Sequence, residues 1–413
     1  MLRLILWPVL MPSFLFGVGT GAMMPVLVLA ALQLGASEAF ASAIIAIVGA
    51  VALMVTVPTG MFIDRVGDKR AMGLATSAAA ATLVLTIVAL VWPSRWSLAL
   101  FVAALILRTP AMTAWNLARQ AVLAETVPTP MRGQAMTALG GTGRAGNVVG
   151  PLFGALLLTW WPLWSVFAFG AVTAILATAL MFVPRLNAEF DARTRTNKAS
   201  RTEEELAAGI RWGAVGLAGA AITTLAVARV AQPILIALWG LRLGWDEAQI
   251  SLAVALGSAV EMLLMIPGGY LKDRLGRSPI LITCLVIYGS GFILAPLWPT
   301  SVGFVVAVVV MSIGNGLGAG INMTIGADLS PARGRAKFLS IWAMFTQGGQ
   351  LGGPLAISGL LLTATLPAAM TFVGALAVAG AVWTAVWSPV LRLPSGGPLR
   401  LRKDRTDPVR AEG

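Results

Sequence analysis

The chain contains no histidine, a single cysteine and only two tyrosines among its 413 residues. Without histidine it lacks the side chain that most often moves protons near neutral pH and the commonest nitrogen ligand for metals. No Ser/His/Asp or Cys/His nucleophile can be assembled, which removes histidine-dependent hydrolytic chemistry. The lone Cys284 lies inside an apolar run, so there is no disulfide framework and no thiolate metal site. No Gly-rich phosphate loop ending in Lys-Ser/Thr occurs, so the chain has no ATP site of that kind. Neither a cofactor nor a metal is expected. Charge is also scarce: 11% of residues are Asp, Glu, Lys or Arg, against about 25% in soluble domains. Hydrophobic residues make up 58%. A soluble fold of this length has no use for so much apolar surface, and lipid must be the solvent for much of it.

Twelve segments reach the roughly 20 apolar residues a spanning helix needs, near 8–34, 38–61, 70–91, 97–123, 133–159, 163–183, 213–241, 247–271, 279–297, 301–327, 337–363 and 367–390. The apolar start runs on through Leu34 with no small-residue cleavage site, and is expected to be the first span rather than a removed signal. With the N-terminus placed in the cytoplasm, 23 of the 29 Lys and Arg residues fall in cytoplasmic segments and only Arg95 and Arg242 in outer loops. That bias predicts N-in, C-in topology and accounts for the net charge of +12 without nucleic acid. The outer turns "VWPSRW", "WWPLW" and "LWPTS" suit an interfacial tryptophan belt. Residues 1–184 then form one six-helix unit and 212–391 another. A polar cytoplasmic linker at 185–211 joins them, and a Pro/Gly/Arg-rich tail at 392–413 is expected to be disordered.

The two units repeat each other. Shifting the chain by 209 positions pairs Gly35 with Gly244, Glu38 with Glu247, Ser42 with Ser251, Pro58 with Pro267, Gly60 with Gly269, Asp64 with Asp273, Arg65 with Arg274 and Gly67 with Gly276. "GNVVGP" at 146–151 has its partner in "GQLGGP" at 349–354. Parallel six-helix repeats are a transporter architecture, with the solute site between the halves near mid-bilayer. In each copy of the Gly-x-x-x-Asp-Arg-x-Gly loop, glycines allow a tight turn. The acid can sit over a helix N-terminus, and the basic residues hold the loop on one side of the membrane.

These paired loops resemble the signature loop of the major facilitator superfamily. "GNVVGPLFG", with Gly146, Gly150, Pro151 and Gly154, resembles the superfamily's fifth-helix motif, which is associated with antiporters and chiefly with twelve-helix drug:proton exporters. The resemblance covers about 1–391. It implies an all-α membrane protein of twelve transmembrane helices in two pseudo-symmetric six-helix bundles. It also implies a conformational latch at Gly60, Asp64, Arg65, Gly67, Gly269, Asp273, Arg274 and Gly276, in which Asp64 contacts the start of the eleventh helix. In the second copy Ser278 and Pro279 replace the basic pair, which weakens that latch. Arg119 and Glu125 are expected to join the first.

Charges at membrane depth mark functional sites by default. Sixteen of the 17 acids sit in loops, helix ends, the linker or the tail; the other, Glu261, lies near the middle of the eighth span. It is the carboxyl placed to carry a proton, or else a structural partner of Arg229. Arg108, in "LILRTP", resembles the superfamily's fourth-helix arginine, implicated in proton transfer, although the usual following Gln-Gly is absent. Arg144 and Arg229, with Arg108, are expected to make the central cavity net positive and suited to a carboxylate. Gln232, Asn116, Trp115 and Asn315 are further cavity candidates. The function expected is proton-coupled efflux of a small organic compound, by a monomer in a bacterial plasma membrane whose partners are solute, protons and lipid. Two alternatives stay open: an importer or uniporter of an organic anion on the same fold, and a transporter-like sensor or assembly factor that moves nothing.

Overall fold

In the computed structural model, residues 5–92, 94–126, 132–183, 210–330, 335–391 and 393 are described. Nearly all of the expected linker and tail lie outside them. So do the side chains of Asp64, Arg144 and Asp273, and those from 120 to 137, which include Glu125. Helices α1 (Met11–Gln33, after a π-helical turn at Leu6–Leu10), α2 (Glu38–Val66), α3 (Asp68–Val91), α4 (Ser97–Thr126), α5 (Arg132–Leu158) and α6 (Trp164–Phe182) form the first bundle. The second consists of α7 (Trp212–Arg242), α8 (Glu247–Leu275), α9 (Arg277–Leu297), an interrupted tenth helix, α11 (Arg335–Thr363) and α12 (Leu366–Leu391). The tenth is split into α10a (Ser301–Leu317) and α10b (Ile321–Leu329). No strand occurs among the described residues.

Local chemistry sets the helix ends in both repeats at matching positions. Ser37 Oγ caps α2 by accepting from Phe40 N at 3.2 Å. Its counterpart Asp246 caps α8 through a reciprocal box with Gln249. Gly67 (φ +88°) and Gly276 (φ +95°) end α2 and α8 in the left-handed region that a Cβ disfavours. Gly35 (φ +89°) and Gly244 (φ +79°) turn the chain at the opposite end of the bundles.

Nine helices among the described residues are long and apolar enough to cross a membrane, and Trp164–Leu180 is a shorter apolar helix. Outside that set stand α5 and α11, which carry polar and glycine-rich stretches such as "RGQAMTALGGTGRAGN" and "TQGGQLGG". Both also pack against the opposite bundle, α5 against α8 and α11 against α2, so part of their surface is covered by protein rather than lipid. Within each bundle the packing recurs: α1 on α5 and α6 is matched by α7 on α11 and α12, and α3 on α4 by α9 on α10a. Apolar side chains such as Leu263, Ile266 and Leu297 are exposed, as a lipid-facing surface requires. Trp92, Trp96, Trp160, Trp161 and Trp298 are exposed at the Gly35/Gly244 end, where the aromatic belt was expected.

Candidate functional site

A cavity of about 230 Å³ lies between the bundles, lined by α1, α5, α7, α8 and α10a. Glu261, at the middle of α8, and Arg229, at the middle of α7, both line it, with Gln232, Asn315, Ser258 and Asn147. Gln232 stands at the centre of a hydrogen-bond network. Its Nε2 donates to Glu261 Oε1 at 3.4 Å and to Ser312 Oγ at 3.3 Å. Its Oε1 accepts from the buried Tyr288 hydroxyl, which also lies 3.2 Å from Ala228 O. The Arg229 guanidinium donates through Nε to Asn315 Oδ1 at 2.7 Å and through Nη2 to Gly318 O at 3.0 Å. Buried polar groups are costly unless paired, and these pairings hold α7, α8, α9 and α10a to one another around the acid.

Three residues singled out in the sequence stand away from this cavity. Arg108 is buried in α4 at 8% exposure and does not line this cavity; its Nη1 points to Met23 Sδ at 3.7 Å, and its Nε has no partner among the described residues. Trp115 is buried against Phe16, with ring centroids 4.9 Å apart, and neither it nor its neighbour Asn116 lines the cavity. Arg108 and Trp115 lie on faces of α4 that pack inside the first bundle, against Met23 and Phe16 of α1, while Asn116 is partly exposed. Of the three arginines expected around the cavity, Arg229 lines it, Arg108 stands apart from it, and the side chain of Arg144 lies outside the described residues; Arg229 and Glu261 are the charged side chains among its described lining residues.

The fifth-helix glycines form a seam. A Cβ on Gly146 would stand 2.6 Å from Gly17 C, and one on Gly150 would stand 2.4 Å from Val18 O; Gly154 faces Ala22 O at 3.3 Å. Only glycine lets α1 and α5 approach this closely. Pro151 and Asn147, on the same stretch, line the cavity. The repeat copy does likewise, with Gly349 against Thr223 and Ala226 of α7.

At the signature loops, Gly67 and Gly276 make the turns, but Gly60 and Gly269 have no atom within 4 Å of a Cβ position; close helix approach belongs instead to Gly268, against Leu317 O at 2.9 Å. Arg65 and Arg274 are exposed at the ends of α2 and α8. Arg119 is half-buried, and its Nε has no partner among the described residues. Sequence reading missed a tie in the second loop: Arg277 Nε pairs with Asp328 Oδ2 at 3.1 Å, and its Nη1 donates to Lys272 O at 2.9 Å. Lys272, in the last turn of α8, is buried at 6% exposure rather than solvated. The tenth apolar run, expected as one helix over 301–327, is interrupted between Leu317 and Ile321, and the alternating glycines of "GNGLGAG" are its sign in the sequence.

The Major Facilitator Superfamily model matches residues 9–228 and again 217–411. The chain belongs to the Major Facilitator Superfamily. The doubled match follows the repeat seen in sequence and packing, and makes the chain a multi-pass secondary transporter rather than an enzyme. Among curated proteins it is similar to the Inner membrane transport protein YajR of Escherichia coli (strain K12), 28% identical over 97 residues, 24% of this chain and 21% of that protein. That match therefore spans about a fifth of the relative's length. Among solved structures it resembles a POT family transporter in complex with a thioalcohol-conjugated peptide, with TM-score 0.74 and 13% identity over 93% of this chain and 96% of that one. A POT family transporter in complex with 5-aminolevulinic acid gives TM-score 0.73 and 13% identity over the same shares. At such identity the likeness is one of fold.

Proposed function

We propose that this superfamily member couples proton movement to the transport of a small organic solute by alternating access, with Glu261 as the proton carrier and the central cavity as the solute site. The observation that carries the reading is a carboxyl at the middle of α8, lining a cavity between two bundles and joined to Gln232. A carboxyl at that depth is costly unless it is used. Gln232, Ser312 and Tyr288 orient it, Arg229 offers a cation to the same space, and Asn147 and Asn315 offer amides. Efflux is the direction favoured, because the α1–α5 glycine seam coincides with the motif that resembles exporters. The membrane is a bacterial plasma membrane, with both termini and the linker cytoplasmic, on the charge bias of the loops. The loop acids Asp64 and Asp273 serve as latches between bundles, and the working unit is a monomer.

A second reading has its own support. Arg229 and Glu261 line one cavity, so a solute carrying both a carboxylate and an amine has a partner for each group. The structural relatives hold a conjugated peptide and 5-aminolevulinic acid, which supports uptake of such a solute.

The test is flux in proteoliposomes with an imposed proton gradient, for wild type and Glu261→Gln, which mimics the protonated acid. Gradient-driven flux is expected to be lost in the variant while exchange without a gradient persists. Full gradient-driven transport by Glu261→Gln would remove the carboxyl from coupling. The orientation of gradient that drives solute out of the vesicle decides between efflux and uptake.

A further inference from the structure

The interruption of the tenth helix is held in an unusual way. Glycines alternate through it at 314, 316, 318 and 320, and Gly320 is left-handed (φ +76°). Each of the first three is pressed against a neighbouring helix: Gly314 faces Tyr288 N of α9 at 2.5 Å, Gly316 faces Glu261 Cα of α8 at 3.0 Å, and Gly318 faces Cys284 Sγ of α9 at 2.3 Å, all measured from a Cβ position. α10a therefore ends in tight contact, and the chain reverses its hand before α10b begins. Interrupted helices in membranes leave carbonyls that need partners, and the C-terminal end of a helix attracts cations. Two cationic side chains come to this end from two different helices. Arg229 of α7 donates to Gly318 O at 3.0 Å, and that oxygen also accepts from Ile321 N at 3.1 Å. The buried Lys272 of α8 donates to Ala319 O.

Each partner reaches in a different direction. Arg229 lines the central cavity and is itself positioned by Asn315, another cavity residue. Lys272 lies four residues before Gly276, the turn of the second signature loop. Beyond the interruption, α10b carries Asp328, which is paired at 3.1 Å with Arg277, the first residue after that turn. A continuous chain of contacts thus runs from the cavity, through Arg229 and the Gly318–Gly320 interruption, along α10b to the signature loop.

We propose that Arg229 and Lys272 are positioning residues that clamp the interrupted tenth helix, so that the guanidinium in the cavity sets the position of α10b and of the signature loop tied to it. The proposal rests on reading the cavity as the solute site only in naming what moves Arg229. A carboxylate entering the cavity competes with Gly318 O for the guanidinium and loosens the clamp; a neutral solute does not. The clamp itself can be tested without a solute, so its failure is distinct from failure of the transport reading.

The protein carries its own reporter. Cys284 is its single cysteine, is fully buried, and lies against Gly318. Alkylation of purified full-length protein by N-ethylmaleimide therefore reads opening at the interruption. Limited trypsin cleavage after Arg277, followed by mass spectrometry, reads release of the loop. In Arg229→Gln and in Lys272→Met, Cys284 is expected to react about tenfold faster, the factor equivalent to about 1.4 kcal/mol of lost closure, and cleavage after Arg277 is expected to accelerate with it. Arg229→Lys, which keeps a cation within reach of Gly318 O, should stay near the wild-type rate on both measures. Ser301→Ala, at the far end of α10a, should change neither. Unchanged alkylation in both clamp variants would overturn the proposal. Faster alkylation without faster cleavage would overturn the link to the loop. Equal effects of Arg229→Lys and Arg229→Gln, or effects that appear only with a matching fall in melting midpoint, would reduce the residues to general structural support and overturn the positioning role.

Discussion

Replacing Gly150 by alanine is the most direct test of the α1–α5 seam. The new Cβ would stand 2.4 Å from Val18 O, 2.6 Å from Ala22 N and 2.9 Å from Gly21 C. An ordinary contact needs about 3.5 Å, so the helices must separate by about 1 Å along the seam. These obstacles are backbone atoms, which cannot rotate away as a side chain would. Overpacking a tight interior typically costs about 1–3 kcal/mol, and three backbone clashes place this site toward the top of that range. Gly140, on the same helix, has no atom within 4 Å of its Cβ position. There alanine should stabilise by about 0.5–1 kcal/mol, through helix propensity alone. The two substitutions are chemically identical, so their difference, about 3 kcal/mol, isolates the seam from propensity. Thermal or denaturant unfolding in a single detergent measures it, and solvent-accessible cysteines introduced on α1 would report the separation. If Gly150→Ala unfolds no earlier than Gly140→Ala, α1 and α5 are not in the close contact described and the seam does not hold the first bundle together.

Two further outcomes can be checked quickly. With cysteines placed at Ala199 and Ser395 in a Cys284→Ser background, a membrane-impermeant reagent should label neither in intact cells and both after lysis; labelling before lysis would reverse the proposed topology. The Arg277–Asp328 pair, with side chains 17% and 22% exposed, should give a coupling of about 0.5–1 kcal/mol in a double-mutant cycle at low salt. That coupling should shrink as ionic strength rises, and a value unaffected by salt would mean the pair is more deeply enclosed than described.

What was legible in the sequence was whatever repeats or whatever water and lipid sort by themselves. The paired glycines at 35 and 244 and at 67 and 276 all adopt positive φ, as a shared turn requires. The helix-capping positions 37 and 246 also match. Tryptophans at the turns are exposed together. Glu261 and Arg229 were found because a charge in an apolar run stands out, and they do line one cavity. Less legible was direction around a helix axis. Arg108, Trp115 and Asn116 lie at plausible depth, but the face each one presents is set by which helix packs alongside, and hydropathy carries no such information. Lys272 shows the converse: a lysine beside a loop is read as solvated, yet the interruption of a neighbouring helix supplies a carbonyl that draws it inside. That interruption was itself hidden in a run apolar enough to pass for one continuous span.

The cavity lining is unevenly shared. Among the described lining residues, Gly21, Met24, Asn147 and Pro151 come from the first repeat, and nine, including Arg229 and Glu261, come from the second. Ser42 reaches Pro354 O across the bundles at 3.1 Å, while its counterpart Ser251 has no partner among the described residues. The two like halves thus contribute differently to the wall. In the first copy's share, a carbon added at Gly21 would stand 3.0 Å from the backbone of Gly146 and Asn147, and Asn147 and Pro151 sit beside the seam glycines 146 and 150, so this stretch can drift little. The second copy's share is built of side chains on three helices, which can be exchanged one at a time. Divergence between descendants of this gene should therefore write its chemical differences into the second half, while the first is passed on nearly unchanged as a fixed wall.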